Sequence, residues 1–596
     1  MKLQRPVLTA LASALLCVAG CGSDNGNAPA TSGLGAAASS AAAATSKLPE
    51  PPDGVPAGTR PLPMPEFGKA YNNPQPRSNV EDGGTLTLPI GEFGPNFNRF
   101  HVDGNNGDVT LIMNWLAPRI WDFTAAGESS PNGSYLLSAE LISETPETIK
   151  YVLNPRAKWN DGTPIDWLSF DATWKIMRGG DDRYASPATA GYESIASVAK
   201  GEQDNEVIVT LKEPYYPFEV LFAELSHPKN VDPDFYKTGW INQLHPELLA
   251  GAFTVASLSE DRLVLERNPS WWGEPAKLER VVYRKMELAS SINAFQNGEI
   301  DATNVAIADR LEQISHMTNI QIRRAFDTRN GVYVMGMDSD LFKDDAARKA
   351  FMLGVDRRLI ATIDNQGLDW EEEAPGSTAM FAWQRGYRDN MPDLHYDPQQ
   401  AKQILDAAGW TVGDDGYRHR AGQAAEFTYV DFGDDPLVAA KARALQKMTK
   451  DIGLRMQIDI RKSSDFAPTL NNASYDVINM TFSATDPFGY AWVCQVYCSD
   501  SGFNKTGLGN KELDELLRRP GRMADRAKAI EAANDAEAEA LHLFGVLPLA
   551  IGPKMTAVKR GLANVGPAGF MVPHPEDIGW QKNPGGTSDA PGSGAR

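Results

Sequence analysis

Two apolar rhythms organise the chain from about residue 80 onward. Short runs alternate apolar and polar positions with the period of a half-buried strand: TLTLPI (85–90), TIKYVL (148–153), EVIVTL (206–211), RLVLER (262–267) and RVVYRKM (280–286). A turn beginning at Asn268-Pro269-Ser270 separates the last two. Other stretches place apolar residues three and four apart. In DPQQAKQILDAAGW (397–410), Asp397 is a predicted N-cap, Pro398 takes the first helical position and Gln400 sits at N3. Ala401, Ile404, Leu405 and Ala408 form its apolar face, and Gly409 supplies the left-handed residue that ends it. Residues 345–363 read as a similar helical unit, and a helix at 436–453 runs directly into a strand at 454–460. Residues 513–519 and 526–544 are late helices. Strands and helices interleaved in this way predict a mixed α/β body, with no internal repeat.

Composition narrows the class. The 596 residues suffice for two to four compact units, and 42% hydrophobic with 22% charged residues is ordinary for a soluble globular protein. A formal charge of −20 argues against nucleic acid as partner, because phosphate neutralisation needs clustered Lys and Arg. The N-terminus stands apart from the fold. Lys2 and Arg5 precede an apolar run (7–19) too short for a comfortable membrane span, which ends in Val18-Ala19-Gly20-Cys21. That ending resembles the lipobox of bacterial lipoproteins, so residues 1–20 are expected to be a signal peptide and Cys21 the lipidated residue. Residues 21–79, rich in Ala, Ser, Gly and Pro, are expected to form a disordered tether. No later run offers about 18 apolar residues, which leaves the lipid as the only expected membrane attachment.

The most specific segment is IKYVLNPRAKWNDGTPIDWLSFDATWKI (149–176). It carries an aromatic strand with Tyr151, a basic Arg156, then Trp159, Asp161-Gly162-Thr163-Pro164, and Ser169-Phe170-Asp171-Ala172 at a helix start. LERNPSWWGEPAKLERVVYR (265–284), AFQNGEIDA (294–302), ARKAFMLGVDRRLI (347–360) and HYDPQQAKQILDAAGW (395–410) follow in order, and GYRHRAGQ (416–423) fits a small hairpin after them. Together these resemble the family 5 extracytoplasmic solute-binding proteins, the peptide-, nickel- and oligosaccharide-binding receptors of ABC importers, over about residues 80–575. From the residues alone, Asp161-Gly162-Thr163-Pro164 is foremost a turn, and the Trp271-Trp272 pair reads as core before it reads as a stacking platform.

The resemblance implies an α/β, two-lobed, periplasmic-binding-protein-like fold of type II, with hinge strands between the lobes and an extra N-terminal subdomain. Lobe one is expected at 80–125, 248–335 and 548–580, the extra subdomain at 126–247, lobe two at 336–547, and a disordered tail at 581–596. Residues 332–337 and 546–551 would be the crossing strands. The implied function is a lipid-anchored, extracytoplasmic receptor that captures di- or oligopeptides between its lobes. It would deliver them to an ABC permease driven by its ATPase subunits, as a monomer without a cofactor. Peptide receptors of this family commonly hold the peptide's α-ammonium group with the first aspartate of Trp-x-x-Asp-x-x-Asp/Glu-Pro. Aligned on Asp486-Pro487, this chain has Met480 at the Trp place and Ser483 at the Asp place. The usual amine anchor is absent unless Asp486 replaces it. Nickel chelates, sugars, haem and glutathione-like thiols are rival ligands within the family, and a sensory receptor without transport is a further reading.

An enzyme is the contrasting class, in the form of an exported lipoprotein hydrolase. The eight histidines are scattered without a His-x-x-x-His pairing, and no Gly-x-Ser-x-Gly elbow occurs. No metal site is expected: Gly413-Asp414-Asp415-Gly416 lacks the spaced ligands of a calcium loop. The aromatic stretch TFSATDPFGYAWVCQVYC (481–498) supplies most of the candidate ligand contacts: Phe482, Ser483, Asp486, Tyr490 and Trp492. Asn98 and Phe100, in a loop after the first strand, are added because relatives have cleft residues there. Cys494 and Cys498 lack the further ligands of a zinc site and the context of a redox motif. A disulfide bracing the loop between Trp492 and Phe503 is the better reading in an oxidising compartment.

Overall fold

The computed structural model describes residues 55–56, 59–187, 189–433, 436–484 and 486–582. The expected signal peptide, Cys21 and residues 583–596 lie outside them. The alternating segments become strands as expected. Thr85–Ile90 pairs in parallel with Arg280–Lys285, which continues antiparallel through Arg262–Arg267 to Phe253–Leu258. Leu86, Leu263, Leu265, Val281 and Tyr283 all turn one face inward, as a period of two requires. Leu136–Glu144, Glu147–Leu153, Glu206–Leu211 and Ile195–Lys200 form a separate four-stranded antiparallel sheet with its own core around Tyr151, Trp159 and Phe222. A five-stranded mixed sheet runs in the order Arg455–Arg461, Glu426–Phe432, Val477–Ser483, Arg329–Met335 and Val546–Leu549.

The chain passes between these bodies twice. Ile320–Phe326 pairs with Pro553–Lys559 in a three-stranded sheet on one side, while Arg329–Met335 pairs with Val546–Leu549 on the other. The passages therefore fall at residues 327–328 and 550–552. Val332–Met335 and the strand Val546–Leu549, expected as crossing strands, lie inside the five-stranded sheet. Their apolar residues are buried there, Val332 and Leu547 completely.

Helix signals were local and held well. Asp397 accepts hydrogen bonds from the Gln399 and Gln400 amides, and Gly409 takes φ +81° just past the helix Pro398–Ala407. The unit expected at 345–363 is instead two helices, Asp345–Gly354 and Arg357–Asp364. Asp356 caps the second through the Leu359 amide, which ends the first one residue earlier, at Val355.

The expectation of a disordered tether as far as Asn79 is corrected for residues 62–79. From Leu62 the chain is packed on the body. Arg324, fully buried, donates to the carbonyls of Leu62, Pro63, Leu368 and Asp369. The Leu62 amide donates to Asp369, and Tyr71 donates its amide to the Pro567 carbonyl. The segment is held by its main chain, so its poverty in large apolar side chains does not free it.

Candidate functional site

A cavity of about 410 Å³ opens where the two bodies meet, within the size range of small-molecule sites. One wall is the end of the strand Val477–Ser483. Along its length this strand pairs with Arg329–Met335, but on its other edge it meets Glu426–Phe432 only at Val477 and Ile478. Beyond that point the two strands diverge, bridged by Asn479 reaching Asp431. The Ala484 amide bonds to the Thr328 carbonyl, so the even-numbered residues face Arg329–Met335. By alternation, Thr481 and Ser483 direct their main-chain groups to the opposite edge, and no strand among the described residues covers them there.

The rest of the wall comes from distant sequence. Residues 378–384 contribute Thr378, Phe381 and Gln384, the helix Val493–Tyr497 contributes Val493 and Val496, and Phe503 projects from a loop, 62% exposed. Phe570 arrives from the opposite body. Its amide is tied to the Ala125 carbonyl, while its ring packs 5.9 Å from Phe381 and 5.3 Å from Trp383. Other pairs close the same interface: Phe123 lies 5.9 Å from Phe488, Tyr215 lies 5.7 Å from Trp492, and the Tyr216 amide donates to the Gly521 carbonyl at 2.7 Å. Gly127, at φ +91°, marks how near the bodies come, since a Cβ there would sit 2.2 Å from Pro487.

Phe482, Ser483, Asp486 and Trp492 are brought together on this cavity. Asp486 accepts from the Trp492 indole through both oxygens, at 2.9 and 3.0 Å, and from the Phe488 amide at 2.8 Å. Burial pushes the Tyr215 phenol far up, and the Asp486 charge beside it adds to the shift. Tyr490 is placed elsewhere: it is 3% exposed in the core, with its hydroxyl accepting from Arg526. Asn98 and Phe100 are not brought to this cavity either. Asn98 is spent locally, accepting from the Phe100 amide and donating to the Tyr236 carbonyl. Both residues border a separate void of about 20 Å³, room for a water and not for a peptide. Cys494 and Cys498 are joined, with Cα atoms 4.8 Å apart. The bond spans the helix Val493–Tyr497 that walls the cavity, and stops short of the loop to Phe503.

Sequence reasoning missed Phe381, Gln384, Phe503 and Phe570. The only signal for the first was an aromatic pair, Phe381 and Trp383, in a segment rich in Gly and Pro with no helical or strand period.

A second cavity of about 560 Å³ lies under the N-terminal segment, between Leu62 and Met64 and the helix Arg357–Asp364. It is bordered by Arg358, Asp369, Glu371 and Glu372. Among the described residues no group of three or more His, Cys, Asp or Glu could hold a metal, and no helix is long and apolar enough to cross a membrane.

Comparison with known proteins decides the family: the model for bacterial extracellular solute-binding proteins, family 5 (middle region), matches residues 114–504. The chain belongs to this family. An oligopeptide-binding protein, OppA, of Mycobacterium tuberculosis is 31% identical over 507 residues, covering 84% of this chain and 85% of the relative. Among solved structures, the periplasmic EDTA-binding protein EppA superposes with a TM-score of 0.77 at 21% identity, over 87% of this chain and 100% of that one. The oligopeptide-binding protein AppA of Bacillus subtilis, in complex with a nonapeptide, gives 0.67 at 19% identity, over 84% and 100%. The fold is thus the two-lobed α/β fold of family 5, with the five-stranded sheet in one lobe and the cavity between lobes. As a family 5 member the protein is an extracytoplasmic solute-binding protein, not an enzyme.

Proposed function

We propose that this protein is the peptide receptor of an ABC importer, binding oligopeptides in the cavity between its lobes and presenting them to a membrane permease. One observation carries the reading: the uncovered edge of Val477–Ser483 at Thr481 and Ser483 opens into a cavity of about 410 Å³. An extended peptide can add to such an edge through its main chain, which gives affinity without demanding one sequence. The OppA relative, named for oligopeptide binding, supports the same class. Ser483 stands where an amine-binding aspartate is usual, and Asp486 is the carboxylate left to face a peptide ammonium group. Phe482 and Trp492 flank the same space.

The signal-like N-terminus supports a receptor on the outer face of a membrane, held by a lipid on Cys21 and acting as a monomer. Among the described residues, lobe one comprises those before 327 and after 552, with the four-stranded sheet of 136–211 as its extra subdomain. Closure stabilised by contacts to both lobes is what the permease would recognise.

Calorimetric titration of the mature protein with peptides of three to nine residues tests the ligand class, with a nickel–histidine chelate, Fe(III)–EDTA and a sugar panel beside them. Saturable heat with peptides is expected. Binding of a chelate or sugar alone contradicts the reading. Cys21→Ala should move the protein from the membrane fraction to the soluble one.

A further inference from the structure

We infer that the cleft cavity selects peptides that carry a bulky apolar side chain and no negative charge, and that Phe570 links that side chain to lobe closure. This rests on the peptide reading above and adds the substrate class. The cavity's apolar surface comes from Phe482, Trp492, Val493, Val496 and Phe503 on one lobe and Phe570 on the other. Three of its polar side chains are spent on the protein. Thr378 is bonded to Glu537 and Tyr497, Gln384 donates to the Pro487 carbonyl and accepts from the Phe381 amide, and Asn330 donates to the Thr378 carbonyl. A polar ligand side chain entering beside those three would give up water and regain few partners. An aromatic one would bury apolar surface against the Phe, Trp and Val side chains of the walls.

Charge points the same way. Among the described residues that line the cavity, Asp486 is the ionisable one and none is Lys, Arg or His. A carboxylate-bearing side chain would therefore be desolvated beside the Asp486 carboxylate, with no cationic side chain among those residues to pair it. The protein's overall −20 deepens that disfavour at long range.

Phe570 makes the preference mechanical. Its segment is fastened to its own lobe by the Tyr71–Pro567 and Phe570–Ala125 main-chain bonds, and its ring reaches Phe381 and Trp383 on the other. An apolar group seated between Phe570 and Trp492 touches both lobes at once. A group in contact with both lobes has different affinity for the closed and open forms, and so shifts the balance toward closure.

The experiment is calorimetry on the mature wild-type chain with tetra-alanine and with tetrapeptides carrying Phe or Glu in turn at each position. At the favoured position Phe is expected to bind at least tenfold tighter than Ala, and Glu at least tenfold weaker than Phe. Phe570→Ala should cut the Phe-over-Ala ratio below threefold. Phe503→Ala, at an exposed position that does not burden folding, should reduce the same ratio. Equal affinities for Phe, Ala and Glu peptides would overturn the selection while leaving peptide capture intact, as would tighter binding of the Glu peptides. Binding of a metal chelate with no peptide binding at all would overturn both.

Discussion

Two cavities among the described residues, the one under the N-terminal segment and the one in the cleft, rank in function in the reverse order of their sizes. The one under the N-terminal segment is larger, about 560 Å³, yet it is walled by one short helix, a loop and a strap of chain, with charged side chains at its border. The cleft cavity is smaller, about 410 Å³, but it has an uncovered strand edge, apolar walls and contributions from both lobes. Volume alone does not make a receptor site. What does is a set of groups that a ligand satisfies only when the two lobes come together. The N-terminal cavity sits beside elements that Arg324 already locks in place, so filling it would change no equilibrium between lobes.

That contrast can be broken most sharply by filling each cavity in turn. Ala484→Trp should abolish peptide binding, a loss of about 1000-fold or about 4 kcal/mol, measured by calorimetry. Thr362→Trp, at an exposed position on the helix bordering the other cavity, should change affinity less than threefold. If Thr362→Trp weakens peptides and Ala484→Trp does not, the assignment of the site is reversed.

Releasing the strap is the next test. Arg324→Ala leaves four carbonyls without their donor, at a cost of about 4 kcal/mol in unfolding free energy. Limited proteolysis should then cut near Leu62, while peptide affinity stays within threefold. A parallel collapse of affinity in a folded variant would mean that the strap cavity takes part in binding.

Acidity sharpens the cleft side. Glu147 is 2% exposed, accepts from the Tyr215 amide at 2.6 Å, and has its other oxygen without a hydrogen-bond partner among the described residues. Burial pushes its carboxyl up to about 7 from an ordinary 4.5. Between those values the folded protein binds more protons than the unfolded chain, so stability falls as pH rises. The contribution is whole below about pH 4.5 and gone above about 7, worth on the order of 3 kcal/mol. Glu147→Gln should remove this slope in melts taken from pH 4 to 8. An unchanged slope would show that another group sets it.

The smallest effect belongs to the disulfide. Cys494→Ser with Cys498→Ser opens a loop of only a few residues, for which chain entropy gives about 2 kcal/mol. Because the braced helix Val493–Tyr497 walls the cleft, peptide affinity should weaken several-fold, with the N-terminal cavity untouched.

What the sequence revealed follows the range of each interaction. The Asp397 cap, the Gly409 terminator and the alternation of Arg262–Arg267 depend on neighbours within a few residues, and each is where the pattern put it. The break at Val355 was missed because Asp356 caps a helix whose apolar period continues across it. The ordered strap was missed because its anchors are main-chain carbonyls received by Arg324, some 260 residues away, and carbonyls leave no mark on composition. At the cleft, Phe482, Ser483, Asp486 and Trp492 came from one stretch, which the motif located. Phe381 and Phe570 meet them only through folding, so no local spacing announced them.

Amide hydrogen exchange at Thr481 and Ser483, measured with and without a saturating peptide, tests the central claim most directly. A peptide paired to the open edge of Val477–Ser483 should slow exchange at both amides, and leave the amides of 362–370 beside the other cavity unchanged. Saturable peptide binding with no added protection at Thr481 and Ser483 would contradict the account.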